Sequence, residues 1–220
     1  MVEDLRSAVE ELKKYENQIA CTDTEVDAYA EVAGIYRYVG AGGTVKRPTK
    51  EGPALLFRNI KGFPDKQVLI GLLASRKRVG YLLDCPPDKL GFLLKDAAAN
   101  PVMPEFTESG DVPCQEEIHY ASDEGFDIRK ILPAPQNTEE DAGPYITMGM
   151  CYASDPVTGE GDVTIHRLCL QSADEMTMFF TPGVRHLDAF REKAEREGKK
   201  PYAGAETGNS GSGDKASVGS

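Results

Sequence analysis

The chain has 220 residues, 40% of them hydrophobic, and its 25 Lys and Arg against 36 Asp and Glu leave a formal net charge of −11. That length supports one or two domains with a real core, and the acidic balance argues against a nucleic-acid partner, because phosphate binding needs a basic face. No run approaches the roughly 18 apolar residues of a membrane span, and the start Met1-Val2-Glu3-Asp4 lacks the basic and apolar regions of a signal peptide, so the expected location is the cytoplasm. The five cysteines (Cys21, Cys85, Cys114, Cys151, Cys169) are scattered without CxxC spacing. That pattern predicts reduced thiols and neither a disulfide framework nor a zinc knuckle.

Leu5, Val9 and Leu12 recur at helical spacing and predict an amphipathic helix over Asp4–Asn17. Thr22-Asp23-Thr24-Glu25 resembles a second helix start, with Tyr29, Val32, Ala33 and Tyr36 as the apolar stripe up to Val39. The cluster Gly40-Ala41-Gly42-Gly43 reads as a helix stop; no Lys-Ser/Thr follows it, as a phosphate loop would require. ALLFRNI (54–60) and QVLIGLL (67–73) predict two strands about a Gly-Phe-Pro-Asp turn. Arg76–Leu83 and Lys89–Ala99 predict helices, with Arg76-Lys77-Arg78 as a solvated helix face. The acidic stretch Glu105–Val112, flanked by prolines, reads as a linker. The domains expected from this are an N-terminal α/β domain, 1–110, and a second domain over 112–200.

The second domain reads as an antiparallel meander of Tyr145–Tyr152, Val163–Leu170 and Met176–Phe180. A charged helix follows at Leu187–Glu197, with Leu187 and Phe190 as its apolar side. It reads as too short and too charged to cover the strands. The remainder, 204–220, is almost wholly small and polar, and its composition predicts a disordered tail.

Candidate chemistry gathers around Asp162, His166, Arg167 and His186. Carboxylate and imidazole together suit Mn²⁺, Fe²⁺ or Zn²⁺. Strand alternation puts Asp162 and His166 on one face and Arg167 on the other, unless the strand starts late or carries a bulge. A strand arginine calls for an anionic partner such as a substrate acid or phosphate. A lone strand histidine, equally, is commonly a satisfied structural residue. Pro182-Gly183 ahead of Arg185-His186 allows close backbone approach to a cofactor and also suits a plain turn.

Six segments, EVAGIYRYVGAGGTVKRPTKEGPALLF (31–57), KGFPDKQVLIGLLASRKRVG (61–80), DEGFDIRKIL (123–132), DAGPYITMG (141–149), DVTIHR (162–167) and PGVRH (182–186), occur in an order and spacing that resembles the UbiD-type prenylated-FMN-dependent decarboxylases. The resemblance runs from near residue 20 to Pro201. It implies an α+β fold in which the meander is the first part of a split β-barrel that binds flavin. It implies reversible, non-oxidative decarboxylation of an aromatic acid of the phenolic or hydroxybenzoic type, with prenylated FMN, Mn²⁺ and K⁺ as cofactors. By motif, Asp162 and His186 would be metal ligands, and Thr164, Ile165, Arg167, Arg185 and His186 would meet the cofactor. Arg167 would be the catalytic arginine that pairs with the substrate carboxylate, and His166 would be structural. Family members continue past the position of Pro201 with further barrel strands and a domain that forms homo-oligomers. A chain lacking them is expected to be an incomplete barrel with little activity alone. Two other readings of such a chain are a non-catalytic flavin-binding or assembly module and a flavin reductase.

Overall fold

The structure, a computed structural model, describes residues 2–40, 51–102, 117–179, 186–199 and 203–207. The chain forms two compact units, Met1–Glu105 with Asp127–Pro144, and Phe106–Phe126 with Tyr145–Ser220. It is an α+β protein with one small sheet in each unit.

The first unit opens on α1 (Leu5–Leu12), set by a capping box in which the Asp4 carboxylate accepts from Ser7 N at 2.7 Å and Ser7 Oγ accepts from Asp4 N at 2.9 Å. Each satisfies a backbone donor the helix start would otherwise leave orphaned. β1 (Ile19–Thr22) runs parallel to β2 (Ala54–Phe57), and β2 pairs antiparallel with β3 (Val68–Ile70). The parallel pair requires a crossover, and α2 (Glu31–Val39) makes it. β2 is the middle strand and is buried at all four positions, as its apolar run ALLF demands. Leu55, Phe57 and Ile60 pack with Val26 and Val32 to form the core. α3 (Arg76–Leu82), α4 (Leu90–Ala99) and α5 (Ile128–Ile131) complete the unit. Tyr15 just after α1 stacks on Tyr81 of α3 with ring centroids 3.7 Å apart.

β1 departs from the sequence expectation. Thr22-Asp23-Thr24-Glu25 ends a strand and starts no helix. Its polar groups make turn contacts instead: Thr22 Oγ1 accepts from Thr24 N at 3.1 Å, and Asp27 Oδ1 from Tyr29 N at 2.9 Å. The helix begins only at Glu31, whose Oε2 accepts from Asp27 N at 2.6 Å.

The Arg76-Lys77-Arg78 run is also corrected. Arg76 and Lys77 are exposed, but Arg78 is 1% exposed. Its Nε donates to Gln18 O at 3.0 Å, Nη1 to Gly71 O at 2.5 Å and Nη2 to Gly52 O at 2.5 Å. Those carbonyls lie just before β1, just after β3 and just before β2. Burial pushes the guanidinium pKa down, while Tyr36 and Glu51 act to hold it up. Gly71 has φ +77°, and a Cβ there would strike the Tyr36 ring, so one of the three carbonyls can be presented only by glycine.

In the second unit β4 (Tyr145–Ser154), β5 (Gly161–Leu170) and β6 (Met176–Met178) form the expected meander. α6 (His186–Arg196) follows, and β7 (Ala203–Thr207) returns to pair antiparallel with β4, giving the order β6–β5–β4–β7. Ordered strand therefore stands where the composition predicts a tail from residue 204 on. Backbone pairing asks nothing of side-chain size, so small residues suffice once a strand edge is available. Residues 208–220, the linker Glu105–Val112 and Ala41–Gly43 lie outside the described residues. α6 also covers more than its charge suggests: Leu187 and Phe190 pack on Cys151, Ala153 and Leu168. Lys193 pins it to the β4–β5 turn, its Nζ reaching Asp155 Oδ2 at 2.6 Å. Lys193 and the Val157 and Thr158 amides together hold Asp155 at a pKa of about 2, below the usual 3.8.

Two outcomes are expected. Arg78→Met should lower the unfolding free energy in urea by about 3 kcal/mol, since it removes three hydrogen bonds from a charged donor, although Gln18 O and Gly71 O keep the Ala54 and Ala74 amides, whereas Arg76→Ala should stay within about 0.5 kcal/mol. Because the folded pKa of Asp155 is depressed, its pair with Lys193 stabilises above pH 3.8 and ceases to as pH falls through about 2. The difference in urea midpoint between the native chain and Lys193→Met should accordingly be present at pH 5 and vanish on approach to pH 2.

Candidate ligand face of the second unit

The four-stranded sheet has two chemically different faces. Alternation along β5 turns Asp162, Thr164, His166 and Leu168 to the side that α6 covers and Val163, Ile165 and Arg167 to the other. Across the ladder, Cys151 lies opposite Thr164, and Gly149 opposite His166. A Cβ on Gly149 would come within 2.9 Å of Leu168 Cδ1 and 3.1 Å of His166 O, so glycine there lets β5 pack closely. Cys151 is fully buried, and burial pushes its thiol pKa up. The Thr164 hydroxyl is buried without a hydrogen-bond partner among the described residues.

Among the described residues the other face is largely uncovered. Val163 is 48% exposed, Ile165 55% and Met148 51%. Tyr152 pairs across the strands with Val163, and Met150 with Ile165. Arg167 is exposed at one end of this apolar row. Opposite it β4 carries an extra residue, because Ile146 pairs with Leu168 and Gly149 with His166, which leaves Thr147 and Met148 facing Arg167 alone. No salt bridge links Arg167 to any of the described residues. Such a face offers an apolar surface for a flat aromatic body beside a guanidinium whose fork suits a carboxylate or phosphate.

The predicted site residues divide as follows. Asp162, Thr164, Ile165 and Arg167 all lie on β5. β5 is regular and the bulge belongs to β4, so Asp162 and Arg167 point to opposite faces while Asp162 and His166 share one. His166 is buried, at 8% exposed. His186 is the first residue of α6, whereas Arg185 and Pro182-Gly183 lie outside the described residues. Asp162 Oδ1 accepts from Val163 N at 2.9 Å. No three His, Cys, Asp or Glu side chains among the described residues gather into a metal-binding group, so these residues do not by themselves fit Mn²⁺ or K⁺. The four described cysteines are free thiols. The first unit carries a cavity of about 330 Å³ lined by Ala20, Cys21, Val26, Ile35, Leu55 and Phe57. It escapes a reading of the sequence because β1, which supplies two of those residues, gives no periodic signal in four residues. No described helix is long and apolar enough to cross a membrane.

Fold and site together define an α+β protein whose antiparallel sheet presents an apolar, arginine-bearing face. The N-terminal domain of the 3-octaprenyl-4-hydroxybenzoate carboxy-lyase (UbiD) family matches residues 10–97, and the Rift-related domain of the same family matches residues 106–205. The chain belongs to the UbiD family. It is 49% identical over 196 residues to gallate decarboxylase of Lactiplantibacillus plantarum, across 89% of this chain and 40% of that protein. Among solved structures, apo 3,4-dihydroxybenzoic acid decarboxylase of Klebsiella pneumoniae superposes with a TM-score of 0.87 at 48% identity, over 94% of this chain and 42% of that one. The UbiD-class enzyme HmfF of Pelotomaculum thermopropionicum, solved in complex with prFMN, superposes with a TM-score of 0.80 at 29% identity, over 92% of this chain and 44% of that one. The chain thus spans well under half the length of the relatives it matches.

Proposed function

We propose that this chain forms the flavin- and carboxylate-binding part of a decarboxylase that removes CO₂ reversibly from a phenolic acid, with prenylated FMN as its cofactor. The observation that carries the reading is exposed Arg167 at the end of the bare row Val163, Ile165 and Met148. The relatives support it: those at 49% and 48% identity are named for decarboxylating gallate and 3,4-dihydroxybenzoate, and the HmfF structure holds prFMN. In this reading residues 112–200 are the first part of a split β-barrel, and 1–110 the domain that precedes it.

Prenylated FMN, when bound, supplies the electron sink for the charge that departing CO₂ leaves behind. The chain's own part is to bind and orient. Val163 and Ile165 offer the apolar wall, with the backbone of Thr164 and Ile165 running alongside it. Arg167 holds the substrate carboxylate through two parallel hydrogen bonds and fixes the angle at which the C–C bond meets the wall. Arg185 and His186 complete the cofactor contacts, and Asp162 with His186 contributes ligands to a Mn²⁺ site that other residues finish. Protonation of the product needs a positioned acid. Asp162 lies on the opposite face from Arg167, and the resemblance to the family implies that the acid is supplied by the part of the relatives that this chain does not span.

The test is a chimera of this chain with the remainder of the Lactiplantibacillus gallate decarboxylase, assayed for decarboxylation of 3,4-dihydroxybenzoate with prenylated FMN. Arg167→Lys should retain the flavin yet lose about two or more powers of ten in rate, because an ammonium cannot match the guanidinium fork. A near-normal rate would reduce Arg167 to a structural residue. In the same chimera Asp162→Ala and His186→Ala should each lose Mn²⁺ and flavin, and His166→Ala much less. Equal loss from His166→Ala would move the ligand set to the face that Asp162 and His166 share.

A further inference from the structure

Helix α4, LGFLLKDAAA, is apolar nearly all round, with Lys95 and Asp96 its only charged residues. A helix of that kind belongs in an interior. Here Leu90 alone is buried, and every residue from Gly91 to Ala99 is exposed. Phe92 is 64% exposed, Leu93 38% and Leu94 61%. The ammonium of Lys89 sits 5.6 Å from the Phe92 ring centroid. Scattered exposed apolar residues need no explanation, but a continuous patch around one helix marks an interface.

We propose that α4 is a docking helix for the polypeptide that makes up the rest of the relatives' chain, beyond the part matched here. Two observations single out that occupant. The part that this chain matches is 40% of gallate decarboxylase and 42% of the 3,4-dihydroxybenzoic acid decarboxylase chain, so most of each relative is available to cover it. The helix also lies within the matched N-terminal domain, up to residue 97, so the surface is part of what the family shares. Charge disfavours two other occupants. The helix has one Lys and one Asp, so it offers nothing to recruit an anionic lipid or nucleic acid. A second copy is the alternative that the labelling below separates from the rest of the relatives' chain. The docking is independent of flavin chemistry and rests only on membership of the family.

Site-specific maleimide labelling of the Leu94→Cys variant, read peptide by peptide, decides the matter. In the 220-residue chain the introduced thiol should label as fast as it does in urea. In the chimera with the remainder of gallate decarboxylase it should label at least about tenfold more slowly, with full labelling restored in urea. If the chimera does not fold, a cysteine at the matching position of intact gallate decarboxylase serves, and it should be equally protected. Labelling as fast in the long protein as in the short one would overturn the proposal. So would protection in the chain alone: if lost on dilution, a second copy is the occupant, and if not, this chain covers its own helix.

Discussion

Arg78 places a positive charge in the interior of a unit whose sheet has only three strands, one of them three residues long. Taking a guanidinium out of water is costly unless its donors are met. Here they are met by three backbone carbonyls, from Gln18, Gly52 and Gly71, each next to a different strand. The constraint works in both directions. The arginine needs the strand ends where they are, and it adds a donor to each: Gln18 O also accepts from Ala54 N at 3.0 Å and Gly71 O from Ala74 N at 3.2 Å. The ladder registers fix how the strands lie beside one another, and this bond set ties all three strand ends to α3. Gly71 with its positive φ and Ser75 capping α3 belong to the same device, since one presents a carbonyl and the other starts the helix that carries the cation.

Much of this architecture is legible in the sequence because periodic signals are long where it is simple. β4 and β5, ten residues each, announce themselves, and so do α4 and α6. Failures come where the signal is short or not local. β1 has four residues and no alternation, and it is specified by pairing with β2 rather than by its own pattern. Arg78 cannot be told from Arg76 by charge, because its partners are backbone groups from distant positions. β7 is composed of small and polar residues, and only the open edge of β4 makes it a strand.

For the site, alternation alone sorts β5 correctly: Asp162 with His166 on one face, Arg167 on the other. What no pattern in β5 could show is that the irregularity sits on the partner strand, at Thr147 and Met148, which widens the ladder beside Arg167 without altering the direction it points. Motif order contributes what physics alone could not, namely the family. The bareness of Val163 and Ile165 is visible only in three dimensions, because an apolar residue in a strand is ordinarily read as core.

The position of β7 bears on how the chain is made. β4 and β5 are joined by a short turn and can pair soon after they leave the ribosome, since closing a small loop is fast and entropically cheap. β7 pairs with the opposite edge of β4 only after β5, β6 and α6 have been synthesised. During that interval β4 displays an unpaired row of amide and carbonyl groups, and the bare apolar face lies next to it. A nascent chain in this state is open to strand exchange with its neighbours on the same polysome. Slow translation through the α6 segment would lengthen that exposure.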